Sequence, residues 1–198
     1  MGPALRPEEA VPFGPVRTRR LCLRCPVEGD APALAALMSG RTSDRLASWP
    51  HPFTPAMARE RIQGLRGAAF AGRSVPLVME RLADGALAGW FAASLAAEND
   101  DIALLTYWLG EAFHGAGLMR EAAPAALALA LERLPVRRVR AAVQADNAAS
   151  LAVVRQLGLR PLGPGRIWCP ARNREEDCLW FDLPRGAEAA RPPVPPRP

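Results

Sequence analysis

The chain has no lysine and a single tyrosine, Tyr107. All 25 of its basic side chains are therefore arginines, and with abundant alanine and proline that bias reads as the mark of a GC-rich genome rather than of an arginine-specific function. Long apolar runs are missing too: none approaches the roughly 20 residues of a membrane span. The N-terminus lacks the basic-then-apolar layout of a secretion signal. The expectation is a cytoplasmic protein with no membrane contact. Excess charge is also small. Of the formal +5, two charges belong to the tail, where Arg185, Arg191 and Arg197 face only Glu188, and the body through Leu183 keeps about +3. That is too little to argue for nucleic acid. Arg137, Arg138 and Arg140 do not change this, since they alternate between the faces of a strand and bring no aromatic partners.

Cysteine is scarce as well, with four in 198 residues. Cys22-x-x-Cys25, with Cys169 and Cys178 as further ligands, invites a zinc or redox reading. Leu21, Leu23 and Cys25 alternate with Arg20, Cys22 and Arg24, however, so a strand here sends the two cysteines to opposite faces. The expected state is reduced, partly buried thiols and no metal.

What is present is enough for a real core. With 49% hydrophobic residues the chain reads as one domain of comfortable size, and disorder throughout is excluded. Pro3, Pro7, Pro12 and Pro15 mark residues 1–15 as a flexible N-terminal arm, residues 16–183 form the single domain, and residues 184–198 are a disordered or polyproline-like tail. Inside the domain, Asp30 is placed to cap a helix carrying Leu34, Leu37 and Met38. Thr54-Pro55 opens a second helix that runs to about Gly67. The loop between them holds Trp49, His51 and Phe53. Residues 75–81 and 86–95 read as strands joined by Asp84-Gly85. A turn over 96–101 follows, with Glu98, Asp100 and Asp101 solvated at its tip, and 177–183 is the final strand.

The most informative stretch is 102–162. Ile102 to Leu109 is an almost unbroken apolar run that suits a strand covered on both faces. Gly110 ends it, and His114-Gly115-Ala116-Gly117-Leu118-Met119 leads into a segment where Leu127, Leu131 and Leu134 recur at helical spacing. A glycine loop feeding a helix lets backbone N–H groups and the helix dipole meet a phosphate, although glycines also serve turns that bind nothing. Pro124 falls inside this helix, where it is expected to leave the Arg120 carbonyl unpaired and to kink or widen the first turn. A strand over 136–143 follows. Asn147 then sits at a helix N-cap position with Ser150 three residues on; Leu151, Val154 and Leu157 form the apolar stripe and Gly158 the stop.

Tyr107-Trp108-Leu109-Gly110, the loop from His114 to Met119 running into Arg120-Glu121-Ala122, Asn147-x-x-Ser150 and Leu157-Gly158-Leu159 together resemble the GNAT (GCN5-related N-acetyltransferase) superfamily, in particular its RimJ/RimL-type branch. The resemblance covers residues 16–183. It implies an α/β (α+β) fold, with a mixed, mostly antiparallel central sheet of about six to seven strands flanked by about four helices. It also implies an acetyl-CoA-dependent N-acetyltransferase. The family's phosphate-binding pattern reads His114-x-x-Gly117-x-Met119 here, departing at both ends, so that His114, Gly115, Ala116, Gly117, Leu118 and Met119 would hold the pyrophosphate through main chain. Trp108 and Leu109 would pair with the pantetheine arm, and one N–H would face the thioester carbonyl. Asn147 would hold a pantetheine amide and Ser150 would support the departing thiolate, though both also make sense as helix-start residues.

The rest of the chemistry is thinner. Many relatives carry a tyrosine on the Ser150 helix and a glutamate at what looks like the position of Leu104, and this chain has neither. Glu80, Asp146, His51 or a water chain remain as proton acceptors. Trp49, His51 and Phe53 either line an acceptor pocket or, for the two aromatics, plug the core beneath the loop. The acceptor is expected to be a protein N-terminal α-amine or a small amino compound rather than a polycation, because 41–53 carries only Asp44 against Arg41 and Arg45. The oligomeric expectation is a monomer or homodimer. A catalytically weak or inactive acyl-CoA-binding module is the rival reading.

Overall fold

The computed structural model describes residues 11–185. The expected arm before residue 11 and the tail beyond 185 lie outside the described residues. Within 11–15, Phe13 is buried in the main core, so packing begins ahead of the first strand.

The strands are β1 (Val16–Arg17), β2 (Leu21–Arg24), β3 (Ser74–Arg81), β4 (Leu87–Ala96), β5 (Asn99–Leu109), β6 (Arg138–Val143), β7 (Arg160–Cys169) and β8 (Arg174–Pro184). The helices are α1 (Ala31–Leu37), α2 (Gly40–Ser43), α3 (Pro55–Phe70), α4 (Leu118–Arg133) and α5 (Ala148–Gln156). One sheet runs β1-β2-β3-β4-β5-β6-β8-β7, and every neighbouring pair is antiparallel except β5 and β6. This is the mixed sheet expected, with one strand more than the upper expectation; α2 is the added helix. Leu118, Ala122, Leu127, Val153 and Val154 of α4 and α5 pack on one face against Leu23, Leu77, Phe91 and Val139. On the other face Leu34 and Ile62 of α1 and α3 pack against Val78, Trp90 and Trp108.

One strand was not expected, and three local expectations change. β7 is a strand despite Pro161, Gly163, Pro164 and Gly165; it lies at the sheet edge, where a missing N–H costs no ladder bond, and the register shifts between Pro161 and Gly163. Asp30 precedes α1 but does not cap it. Its carboxylate turns back to accept from the Val27 N–H (2.8 Å) and from both terminal nitrogens of Arg24 (2.8 and 2.9 Å). Helix α4 runs without interruption through Pro124, and the Arg120 carbonyl does not go unpaired: Gln156 Nε2 of α5 donates to it at 2.8 Å. The acidic turn is partly paired, since Arg73 holds Asp100 in a two-point ion pair (2.9 and 3.0 Å).

Candidate active site

β5 and β6 are in register only from Ile102↔Arg138 to Leu104↔Arg140. Beyond Leu104, β5 stays on β4 while β6 stays on β8, so the parallel pair opens into a gap. The backbone of β5 alternates its hydrogen-bonding direction. Gly110 N–H donates to Ala88 O of β4, whereas Asp101 O accepts from Arg137 beside β6. Even-numbered residues therefore face β4, and Tyr107 and Leu109 turn their N–H and C=O groups into the gap. The Leu109 carbonyl is taken by His114 Nε2 at 3.0 Å, and because a carbonyl only accepts, that nitrogen carries the proton. Trp108, expected to pair with the pantetheine arm, instead pairs with Trp90 and buries its side chain in the second core. The main-chain groups offered to a ligand are the N–H and C=O of Tyr107 and the N–H of Leu109.

The glycine loop closes one end of this gap. Gly115 (φ +74°) and Gly117 (φ +72°) occupy the left-handed region that favours glycine, and Gly117 is the N-cap of α4. The first N–H groups of α4, from Leu118, Met119 and Arg120, have no acceptor four residues back. Leu118 and Met119 bury their side chains, so they can offer a ligand only backbone. Three side chains to which sequence reasoning gave no part in the site brace the loop. Arg20 Nη1 donates to Ala116 O at 2.9 Å, while its Nε and N–H both bind Glu121 at 2.7 Å, joined there by the Thr18 hydroxyl at 2.7 Å. Burial pushes the Glu121 carboxyl up, but the Thr18 and Arg20 donors outweigh it and hold its pKa at about 2. No sequence signal joins Arg20 to Glu121, which lie 101 positions apart.

The start of α5 closes the other side. Asn147 Oδ1 accepts from Ser150 N–H at 3.1 Å, the cap expected from sequence. The Ser150 hydroxyl meets Tyr107 OH, reaching across from β5, at 2.7 Å. Burial pushes the Tyr107 phenol up to about 12, against the opposing effect of the Ser150 hydrogen bond. Sequence reasoning placed Tyr107 in the strand and in the Tyr107-Trp108-Leu109-Gly110 motif, but gave its hydroxyl no role at this site.

The expected acceptor residues do not act as one set. Trp49 and Phe53 are buried with Trp90 and Trp108, Trp49 lying 5.0–5.4 Å between ring centroids from each of the other three. They plug the second core. His51 is exposed, its ring over Gly40. Helix α2 spans the ends of the parted strands: Ser39 binds Glu111 just past β5, and Gln144 Nε2, just past β6, donates to Asp44 O at 2.9 Å. Arg172, from the β7–β8 turn, holds Ser43 O and Leu46 O at 3.1 Å each. A groove of about 680 Å³ beside this segment is lined by Ser48, Pro50, Phe53, Met57, Arg61 and Pro170, among others. Two candidate bases are tied up. Glu80 pairs with Arg24 at 2.8 Å, and the Arg45 hydrogen bond (2.6 Å) lowers the Asp146 pKa. All four cysteines are free thiols, and among the described residues no group of three or more His, Cys, Asp or Glu side chains could hold a metal.

The glycine loop that opens α4 and the Asn147-capped start of α5 are the elements that carry the sequence resemblance, and the structure places them on either side of the gap. The family model of the acetyltransferase (GNAT) domain matches residues 20–160, and the chain belongs to this family. No curated protein sequence matches it. Solved structures share its fold. The ribosomal-protein-S5-alanine acetyltransferase from Vibrio fischeri superposes with a TM-score of 0.75 at 18% identity, over 87% of this chain and 97% of that one. The Salmonella typhimurium acetyl transferase that modifies the N-terminal serine of 50S ribosomal subunit protein L7/L12 gives 0.70 at 22% identity, over 85% and 97%. Mycobacterium smegmatis RimJ in complex with CoA-disulfide gives 0.70 at 22% identity, over 91% and 89%.

Proposed function

We propose that the protein is an acetyl-CoA-dependent N-acetyltransferase that acylates a primary amine, with a protein N-terminal α-amine the favoured acceptor and a small amino compound the next. The observation that carries this reading is the gap between β5 and β6, with unpaired main-chain groups along one wall and a helix N-terminus at its end. Acetyl-CoA supplies an acetyl thioester. The first-turn N–H groups of α4 and the loop around Gly115 and Gly117 would hold its pyrophosphate, with Arg20 bracing the loop. The N–H groups of Tyr107 and Leu109 would receive the pantetheine arm and the thioester carbonyl, one of them favouring charge that develops on the carbonyl oxygen. The amide N–H groups of Asn147 are free for a pantetheine carbonyl because its Oδ1 serves as the cap.

In the net exchange the amine nitrogen bonds the acetyl carbon, the C–S bond breaks with its electron pair leaving on sulfur, and one amine proton is lost. Ser150 supports the sulfur. The proton goes to solvent water in this reading, since Glu80 and Asp146 sit in ion pairs. An α-amine with a pKa of roughly 8 already has a neutral fraction near neutral pH. The ribosomal-protein acceptors of the structural neighbours support a protein N-terminus.

Those paired carboxylates also favour a second reading, an acyl-CoA-binding module with little turnover. A thiol-release assay with peptides beginning in serine or alanine, and with a panel of small amines, separates the two. Acceptor-dependent release supports the enzyme; binding of acetyl-CoA with no release above hydrolysis supports the module.

A further inference from the structure

We infer that Tyr107 is a positioning residue for leaving-group support: its hydroxyl donates to Ser150 Oγ and so holds the Ser150 proton toward the site of the thioester sulfur. This inference rests on the acetyl-CoA reading above. Tyr107 OH lies 2.7 Å from Ser150 Oγ and 3.3 Å from Ser150 O, so both acceptors for its proton belong to one residue. Distance alone does not say which hydroxyl donates, but acidity does. A phenol, with a pKa near 10, is a far stronger donor and weaker acceptor than an aliphatic alcohol. With Tyr107 donating, the Ser150 proton is left over. Ser150 Oγ has no other partner among the described residues, and its N–H is already committed to Asn147.

The Tyr107 ring is itself fixed. It stacks on Phe91 at 6.2 Å between centroids and 14° between planes, and packs against the first core. A serine hydroxyl free to rotate among three staggered positions is thereby held by a ring that cannot follow it. Donation by Tyr107 also polarises the Ser150 O–H, making it a better donor to an anion.

Proton transfer from Tyr107 is a different role, and the magnitudes oppose it. The buried phenol is pushed up to about 12, whereas a thiol ionises near 8.5, so a thiolate does not take the phenolic proton. When the C–S bond breaks and its pair stays on sulfur, Tyr107 keeps its proton, and Ser150 stabilises the anion by a hydrogen bond.

A readout that needs no acceptor is the thiol pKa of bound CoA, followed by thiolate difference absorbance against pH. The expectation is a bound-thiol pKa about one unit lower in the wild type than in Ser150→Ala. Tyr107→Phe should recover at least half of that rise at unchanged CoA affinity, and the double variant should go no further than Ser150→Ala alone. Because Tyr107 is the chain's only tyrosine, growth on 3-fluorotyrosine changes this hydroxyl alone; the more acidic phenol should lower the thiol pKa further. This substitution keeps the ring, and the prediction survives even if Tyr107→Phe fails to fold. With peptides that turn over, Tyr107→Phe should lower kcat about tenfold and leave the KM for acetyl-CoA unchanged.

A wild-type thiol pKa in both Tyr107→Phe and the fluorotyrosine protein would overturn the inference, as would effects of the two single variants that simply add. An alkaline limb of the kcat profile that disappears in Tyr107→Phe would assign Tyr107 as an acid instead. Failure of the wild type to bind CoA defeats the acetyl-CoA reading, and this inference with it.

Discussion

Glu121 shows how much the glycine loop depends on side chains that no motif joins. Thr18 and Arg20 converge on its carboxylate and, through Arg20, on the Ala116 carbonyl of the glycine loop. Its pKa near 2, below the ordinary 4.5, makes a directional prediction. A depressed carboxyl favours the folded state above its unfolded pKa, and that contribution is lost as the pH falls from about 4.5 toward 2. Glu121→Gln should therefore lower stability at pH 7 and flatten the acid limb of a stability-against-pH curve measured by urea unfolding; an unchanged limb would remove Glu121 from this role. At Tyr107, tyrosinate absorbance should give one transition near 12 in the folded protein, against about 10 after unfolding. Neither cluster was legible in the sequence. The partners are 101 and 43 positions apart, and only the fold brings them together.

At the scale of elements, what could be read was what is local. The Asp84-Gly85 hairpin and the Asn147-capped α5 depend on neighbours within a few residues, and both form as expected. β7 was not legible, because its proline and glycine residues break local propensity while its edge position and its pairing with β8 restore the strand. Trp49 and Phe53 could be read either as pocket or as core, and only their packing against Trp90 and Trp108 decides for core. Helix α4 carries a testable case. Pro124 removes the donor for the Arg120 carbonyl, and Gln156 replaces it from α5. Gln156→Leu should cost about 0.5–1 kcal/mol in the native background and clearly less in Pro124→Ala, where the residue 124 amide can take that carbonyl. A double-mutant cycle by chemical denaturation measures the difference; equal costs in both backgrounds would mean that the Gln156 bond contributes nothing.

Across the whole molecule, the sheet's single parallel pair does what no single residue could. β5 is bound to β4 and β6 to β8, so the two strands must part where their own pairing ends at Leu104 and Arg140. Helices α4 and α5 start from the edges of that gap, one on left-handed Gly117 and the other on Asn147. The glycine loop and the Asn-Ser helix start were legible because they are local signals; the placing of α2 was not, because it is tied down by Glu111, Gln144 and Arg172 from distant parts of the chain. In the proposed function, this gap and its glycine loop bind acetyl-CoA. The most direct test is calorimetric titration of acetyl-CoA into the wild type and into Gly117→Arg, which puts a bulky side chain at a φ of +72° beside the helix start. Micromolar binding by the wild type, lost in a Gly117→Arg variant that keeps its circular dichroism, is the predicted result. No binding by the folded wild type, or equal binding by the folded variant, would contradict it.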